Sequence, residues 1–261
     1  MPGMAKNGIY PTTANAIWEM FPAFARYGFN RSHAVCYAMT SYQTAYLKAH
    51  YPVEFATALL NCDAGDIDRI SFLVSESKKS GINILPPHIN ASMANFTPEG
   101  ANIRFGLAAV KNVGEAIVAA IIEERQRGGP FQTLINLLER VQHKDLNKKS
   151  LESLAKCGAL DSFGIERNTI LSNMEDVIKF ASAIKRNGRT NQAGLFTATV
   201  SANSLRLKAT APADMPSKLN WEKELLGLYI SDHPLNIHRA KILAVRARNI
   251  KEALREKSEL M

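Results

Sequence analysis

Apolar residues recur three and four positions apart along most of this 261-residue chain, and that spacing predicts a mostly α-helical protein. The pattern runs from about residue 13 to residue 61. Ala14, Ile17, Trp18, Phe21 and Phe24 share one face, which Pro22 interrupts. The tract 27–33 reads as a turn, with Ser32 as the helix cap. A long helix is expected from His33 to about His50, stopping before Pro52, and another over 52–60. An amphipathic helix over 66–80 ends at Gly81. Pro86-Pro87 forces the chain out of helical geometry, and 101–105 reads as a short strand or extended lead-in.

The tract Phe105-Gly106-Leu107-Ala108-Ala109-Val110-Lys111-Asn112-Val113-Gly114-Glu115 then reads as helix, tight glycine turn, helix. The second helix runs to about Arg127 and is broken by Gly128-Gly129-Pro130. Leu107, Val110, Val113, Ile117 and Ile121 keep helical spacing on both sides of the turn. The start of the second helix leaves N–H groups without intrahelical partners, here expected at Val113, Gly114 and Glu115. With the positive end of the helix dipole they form an anion site. Further helices are expected over 133–140, with Thr133 as cap, over 147–156, and as one longer element over 167–185. From 187 to 220 large apolar residues thin out among Asn, Thr, Ala, Ser and Pro, which reads as a flexible linker. Helical patterning resumes over 221–229, and 237–260 reads as a basic amphipathic helix.

A net charge of +8 makes a nucleic-acid phosphate the natural anion for the turn. Such contacts carry affinity without reading sequence. Cys36, Cys62 and Cys157 are far apart and form no CxxC pair, so neither a zinc site nor a disulfide framework is suggested; a reduced cytoplasmic setting fits. The histidines are scattered, and no metal site is expected. No apolar run approaches the ~20 residues of a membrane helix, and the N-terminus lacks a signal-peptide pattern.

Several tracts, in order, resemble one family. Phe24-Ala25-Arg26-Tyr27-Gly28-Phe29-Asn30-Arg31-Ser32-His33-Ala34-Val35-Cys36-Tyr37-Ala38 is followed by Ser41-Tyr42-Gln43-Thr44-Ala45-Tyr46-Leu47-Lys48-Ala49-His50-Tyr51-Pro52. Leu85-Pro86-Pro87-His88-Ile89-Asn90-Ala91-Ser92, the turn at Lys111-Asn112-Val113-Gly114, and Leu151-Glu152-Ser153-Leu154 with Gly158-Ala159-Leu160-Asp161 come next. Leu226-Gly227-Leu228-Tyr229-Ile230-Ser231-Asp232-His233-Pro234-Leu235 closes the series. Together they resemble the alpha subunit of the bacterial replicative DNA polymerase III, a C-family polymerase, over nearly the whole chain.

The resemblance implies a helical end of the polymerase fingers over 1–61, a helical connector over 62–98, and a tandem helix-hairpin-helix DNA-binding domain over 99–186. A linker with a clamp-binding motif over 187–220 and a helical segment over 221–261 leading toward an OB domain complete the expected order. It implies that Asn30, Arg31, Ser32 and His33 face the incoming dNTP, Arg31 as a charge-assisted donor to the triphosphate. Lys111, Asn112, Val113, Gly114 and Glu115 are expected to hold the backbone of the primer-template duplex. Asn112 stands in the usual first glycine position, where Asn tolerates left-handed geometry. Lys156 and Gly158 belong to a second, degenerate hairpin at Ala155-Lys156-Cys157-Gly158-Ala159. Lys144, Lys148 and Lys149 extend the basic face. Gln192, Leu195 and Phe196 match a short peptide that docks on the sliding clamp. The partners expected are thus duplex DNA, the clamp, a dNTP and other replicase subunits, with no membrane. Family members carry a palm whose carboxylates hold Mg2+; Asp63, Asp66 and Asp68 do not match that pattern, so no catalytic residue, cofactor or polymerase activity is expected of this chain alone. The alternative is a free-standing, non-enzymatic DNA- and clamp-binding module. A hairpin glycosylase would need a catalytic aspartate after the hairpin helix, and 129–133 contains none.

Overall fold

The structure, a computed structural model, describes residues 2–27, 31–189 and 205–245. The chain is helical with one small sheet, as the periodicity predicts. It forms two compact units, Met1–Phe55 and Ala56–Met261.

The first unit holds α1 (Pro2–Lys6), α2 (Pro11–Tyr27), α3 (Arg31–His50) and the start of α4 (Pro52–Cys62). Pro22 does not end α2, which passes through it. Ser32 lies inside the first turn of α3 rather than at its cap, because the helix already begins at Arg31. Tyr37, Tyr42 and Tyr46 are exposed along α3.

In the second unit, α5 (Ile67–Lys79) starts at Asp66, whose carboxylate accepts the Arg69 N–H at 3.0 Å. Asp63 pairs with the Arg69 side chain at 2.9 Å. These two carboxylates are therefore occupied in starting a helix. The sheet has the order β1 (Ile84–Leu85), β3 (Asn102–Arg104), β2 (Thr97–Glu99). β1 runs parallel to β3, with Ile84 opposite Ile103; β2 runs antiparallel to it, with Pro98 opposite Ile103. Beyond the sheet come α6 (Glu115–Gly128), α7 (Leu134–Arg140), α8 (Lys148–Lys156), α9 (Arg167–Ser172), α10 (Met174–Arg189), α11 (Met215–Leu226) and α12 (Arg239–Ala244).

The core of this unit is built from the periodic positions: Leu107, Val110, Val113, Ile117 and Ile121 are all buried, beside Leu60, Ile103, Leu134 and Leu151. Phe96 and Phe105 meet edge to face at 4.7 Å between ring centroids. Three asparagine side chains each imitate a backbone strand pair and join distant segments. The Asn61 amide bonds the C=O and N–H of Phe96 at 3.0 and 2.9 Å. Asn90 does the same for Phe131, both at 2.8 Å. Asn173 does so for Lys208, both at 2.9 Å. The Pro86-Pro87-His88-Ile89-Asn90 tract is the junction of the unit: the Ile89 N–H donates to Ala159 O at 2.9 Å, and Arg125 donates to the carbonyls of Ile89 and Ser92 at 3.0 and 3.1 Å.

Three further expectations are corrected. The segment before the glycine turn is a single 3-10 turn, Leu107–Ala109, and not a helix. The Leu107 and Ala108 N–H groups donate instead to Met93 O and Ala94 O at 2.9 and 3.0 Å. Gly106 permits that approach, since a Cβ there would lie 2.5 Å from Ala94 O. The expected long helix over 167–185 is two helices broken at Asn173, whose side chain is committed to Lys208. Finally, 205–220 is not a free linker. Ala213 N–H donates to Glu166 at 3.2 Å, Asn168 donates to Ala211 O at 2.8 Å, and 215–220 begins α11 with Leu219 buried.

Candidate nucleic-acid interface

The turn at 110–116 is fixed from below by its apolar residues and left open above. Val110 and Val113 are buried, while Lys111, Asn112, Gly114, Glu115 and Ala116 are exposed. Asn112 is the non-glycine residue with a left-handed backbone among the described residues, at φ 68°; its amide donates to Ser153 Oγ of α8 at 3.2 Å. That bond offsets part of the conformational cost and ties the turn to the next helix. The Lys111 N–H donates to Leu225 O at 3.0 Å, which anchors the turn to α11 and leaves its ammonium group unpaired among the described residues.

Val113 does not offer its N–H: it donates to Val110 O at 3.1 Å. Gly114 is the N-cap of α6, and the first helical bond runs from Val118 N–H to Gly114 O. The N–H groups of Gly114, Glu115 and Ala116 have no intramolecular acceptor among the described residues. The donor set therefore sits one residue later than the sequence suggests. Gly114 has an ordinary backbone, φ −75° and ψ 159°, and a Cβ there would meet nothing within 4 Å. The protein itself does not require glycine at this position.

The second glycine turn has another geometry. Gly158 is left-handed at φ 84° and terminates α8. The Ala159 N–H bonds Leu154 O at 3.0 Å and the Gly158 N–H bonds Ala155 O at 3.2 Å, the paired bonds of a Schellman C-cap. Its donors are consumed, and it is the negative end of a helix dipole. A Cβ on Gly158 would lie 2.3 Å from Arg167 Nη2. Arg167 is in turn held by Asp161 at 2.7 Å and Lys156 O at 3.0 Å. Burial works to lower the Arg167 pKa, but the bonds to Asp161 outweigh it and hold it above the usual value. Glu222 of α11, buried, lies 3.8 Å from Arg167 and accepts the N–H groups of Ile230 and Ser231 at 2.9 and 3.0 Å. Arg167 carries no sequence signal of burial, whereas Glu222 falls three residues after Leu219 and four before Leu226, on the face that α11 buries.

Ser32 and His33 lie on the first turn of α3, with the His33 ring edge-on to Tyr37 at 4.5 Å; Arg31 opens that helix. Asn30 lies outside the described residues, as do Gln192, Leu195 and Phe196. No described helix is long and apolar enough to cross a membrane.

An open helix start after a tight turn, seated on an apolar core, is the turn and second helix of a helix-hairpin-helix, and the family model of the helix-hairpin-helix motif matches residues 81–170. The DNA polymerase III subunit alpha of Thermus aquaticus is 44% identical over 233 residues, 89% of this chain and 19% of that protein. That of Bacillus subtilis is 39% identical over 253 residues, 97% of this chain and 22% of its own. That of Borreliella burgdorferi is 36% identical over 261 residues, 98% of this chain and 23% of its own. The chain belongs to the DNA polymerase III alpha subunit family, and it spans about a fifth of the length of these relatives.

Proposed function

We propose that this chain is the part of a replicative polymerase that holds the sugar-phosphate backbone of primer-template DNA, through the N–H groups of Gly114, Glu115 and Ala116 and the ammonium of Lys111. The observation that carries this reading is an exposed glycine, unnecessary for the fold, capping three unpartnered donors within the family-matched stretch. The contact supplies affinity and is indifferent to base sequence. The parent reaction is template-directed addition of deoxynucleotides to a DNA 3′ end. Its magnesium chemistry belongs to palm carboxylates that the residues here do not match. Asn30, Arg31, Ser32 and His33 face the incoming dNTP, and Gln192, Leu195 and Phe196 dock on the sliding clamp in the cytoplasm, beside the other replicase subunits.

Anisotropy of a labelled duplex titrated with the full chain tests the DNA contact. Gly114→Val should weaken binding about tenfold or more, since charged hydrogen bonds contribute about 1.5–3 kcal/mol each. The loss should be equal on duplexes of unrelated sequence; unchanged affinity rejects the reading. For the clamp, Leu195→Ala with Phe196→Ala should abolish binding to the purified ring and leave DNA binding intact. Equal clamp affinity would reject that peptide.

A further inference from the structure

We propose that Lys149, rather than Lys156, supplies the second backbone-phosphate contact of this unit, in the same surface depression as Lys111. The inference rests on the reading of the first turn as a DNA contact. Lys111, Asn112 and Gly114 line the depression together with Ala64, Asn147 and Lys149. Both of its walls are held by side-chain hydrogen bonds. Asn112 is bonded to Ser153 of α8 at 3.2 Å. The start of α8 is locked by a reciprocal capping box, in which Asn147 accepts the Ser150 N–H at 3.1 Å and Ser150 Oγ accepts the Asn147 N–H at 3.0 Å.

The neighbouring lysines are separated by their partners. Lys148 is bound to Glu175 at 2.6 Å. Lys144 lines a different cleft, with Lys185. Lys149 is exposed and has no ion pair among the described residues, and the same holds for Lys111. Lys156 stands two helical turns further on, roughly 10 Å along the axis. It is half-buried, on the turn whose N–H groups are consumed. A phosphodiester seated on Gly114 thus shares its depression with Lys149, while Lys156 belongs to the closed end of α8.

Each lysine that neutralises a phosphate contributes about 0.9 to the slope of log affinity against log salt. Duplex binding by the full chain, measured from roughly 50 to 300 mM salt, should show that slope reduced by about 0.9 in Lys149→Ala and in Lys111→Ala, and unchanged in Lys156→Ala. Lys149→Arg should restore it, and unchanged thermal melting should accompany every variant. A reduced slope in Lys111→Ala with none in Lys149→Ala overturns this inference alone. An equal reduction in Lys156→Ala also overturns it. A wild-type chain without salt-dependent duplex binding overturns this inference and the DNA-contact reading together.

Discussion

The turns at 112–114 and 157–159 look alike in sequence, each an apolar residue followed by glycine beside a lysine, yet they put glycine to opposite uses. In the first, the left-handed residue is Asn112, and Gly114 begins a helix with its N–H groups free. In the second, Gly158 is itself left-handed and ends a helix with its N–H groups bonded back. One glycine faces empty space and the other faces a pinned guanidinium. A glycine in open space is set by no packing contact, and under the proposed function it leaves room for a phosphate. A glycine that the backbone angle demands points to stability.

The largest effect that tests this difference is in Gly158→Val. A β-branched residue at φ 84° displaces Arg167 from Asp161, and the cost should be about 2–4 kcal/mol. Melting should fall by roughly 4–15 °C. Gly114→Val, at an N-cap with an ordinary backbone angle, should cost only about 1 kcal/mol, and a loss comparable to that of Gly158→Val would erase the distinction. Asn112→Ala comes next: it loses the Ser153 bond and strains the turn, costing about 1–2 kcal/mol, whereas Asn112→Gly should be within about 0.5 kcal/mol of wild type.

A chemical probe sharpens the contrast further. Burial pushes the Cys157 thiol up to about 12, beside Gly158, while Cys36 and Cys62 are exposed. A thiol reagent at neutral pH should therefore label two cysteines at once and Cys157 only on unfolding. Immediate labelling of all three would mean that the second turn opens freely. The smallest effect is expected of Glu115→Gln. Its exposed carboxylate favours the start of α6 but repels a phosphate there, so removal should tighten duplex binding by about twofold and slightly lower stability.

What the sequence makes legible follows from local rules. Helical spacing identifies Leu107, Val113, Ile117 and Ile121 as core, and each is buried. Thr133 announces the start of α7 and accepts the Asn136 N–H, while Asn147, the first residue of the helix expected over 147–156, is the cap of α8 and accepts the Ser150 N–H. What is hidden depends on distant partners. The 107–109 segment gives its N–H groups to 93–94 rather than to a helix of its own. Composition marks 205–220 as linker, yet it is held by Asn173, Asn168 and Glu166, polar side chains that no apolar pattern records. The same limit applies at the interface. Spacing locates the turn, but only the Val113–Val110 bond moves the donors to 114–116, and only the Schellman bonds show which glycine turn is closed.

Amide hydrogen exchange on the full chain, with and without a short DNA duplex, tests the central contrast most directly. The amides of Gly114, Glu115 and Ala116 should exchange rapidly in the free protein and slow markedly on DNA, while those of Gly158 and Ala159 stay protected throughout. Protection of 114–116 without DNA, or new protection on DNA at 158–159 in its place, would contradict the assignment of the open turn as the phosphate site.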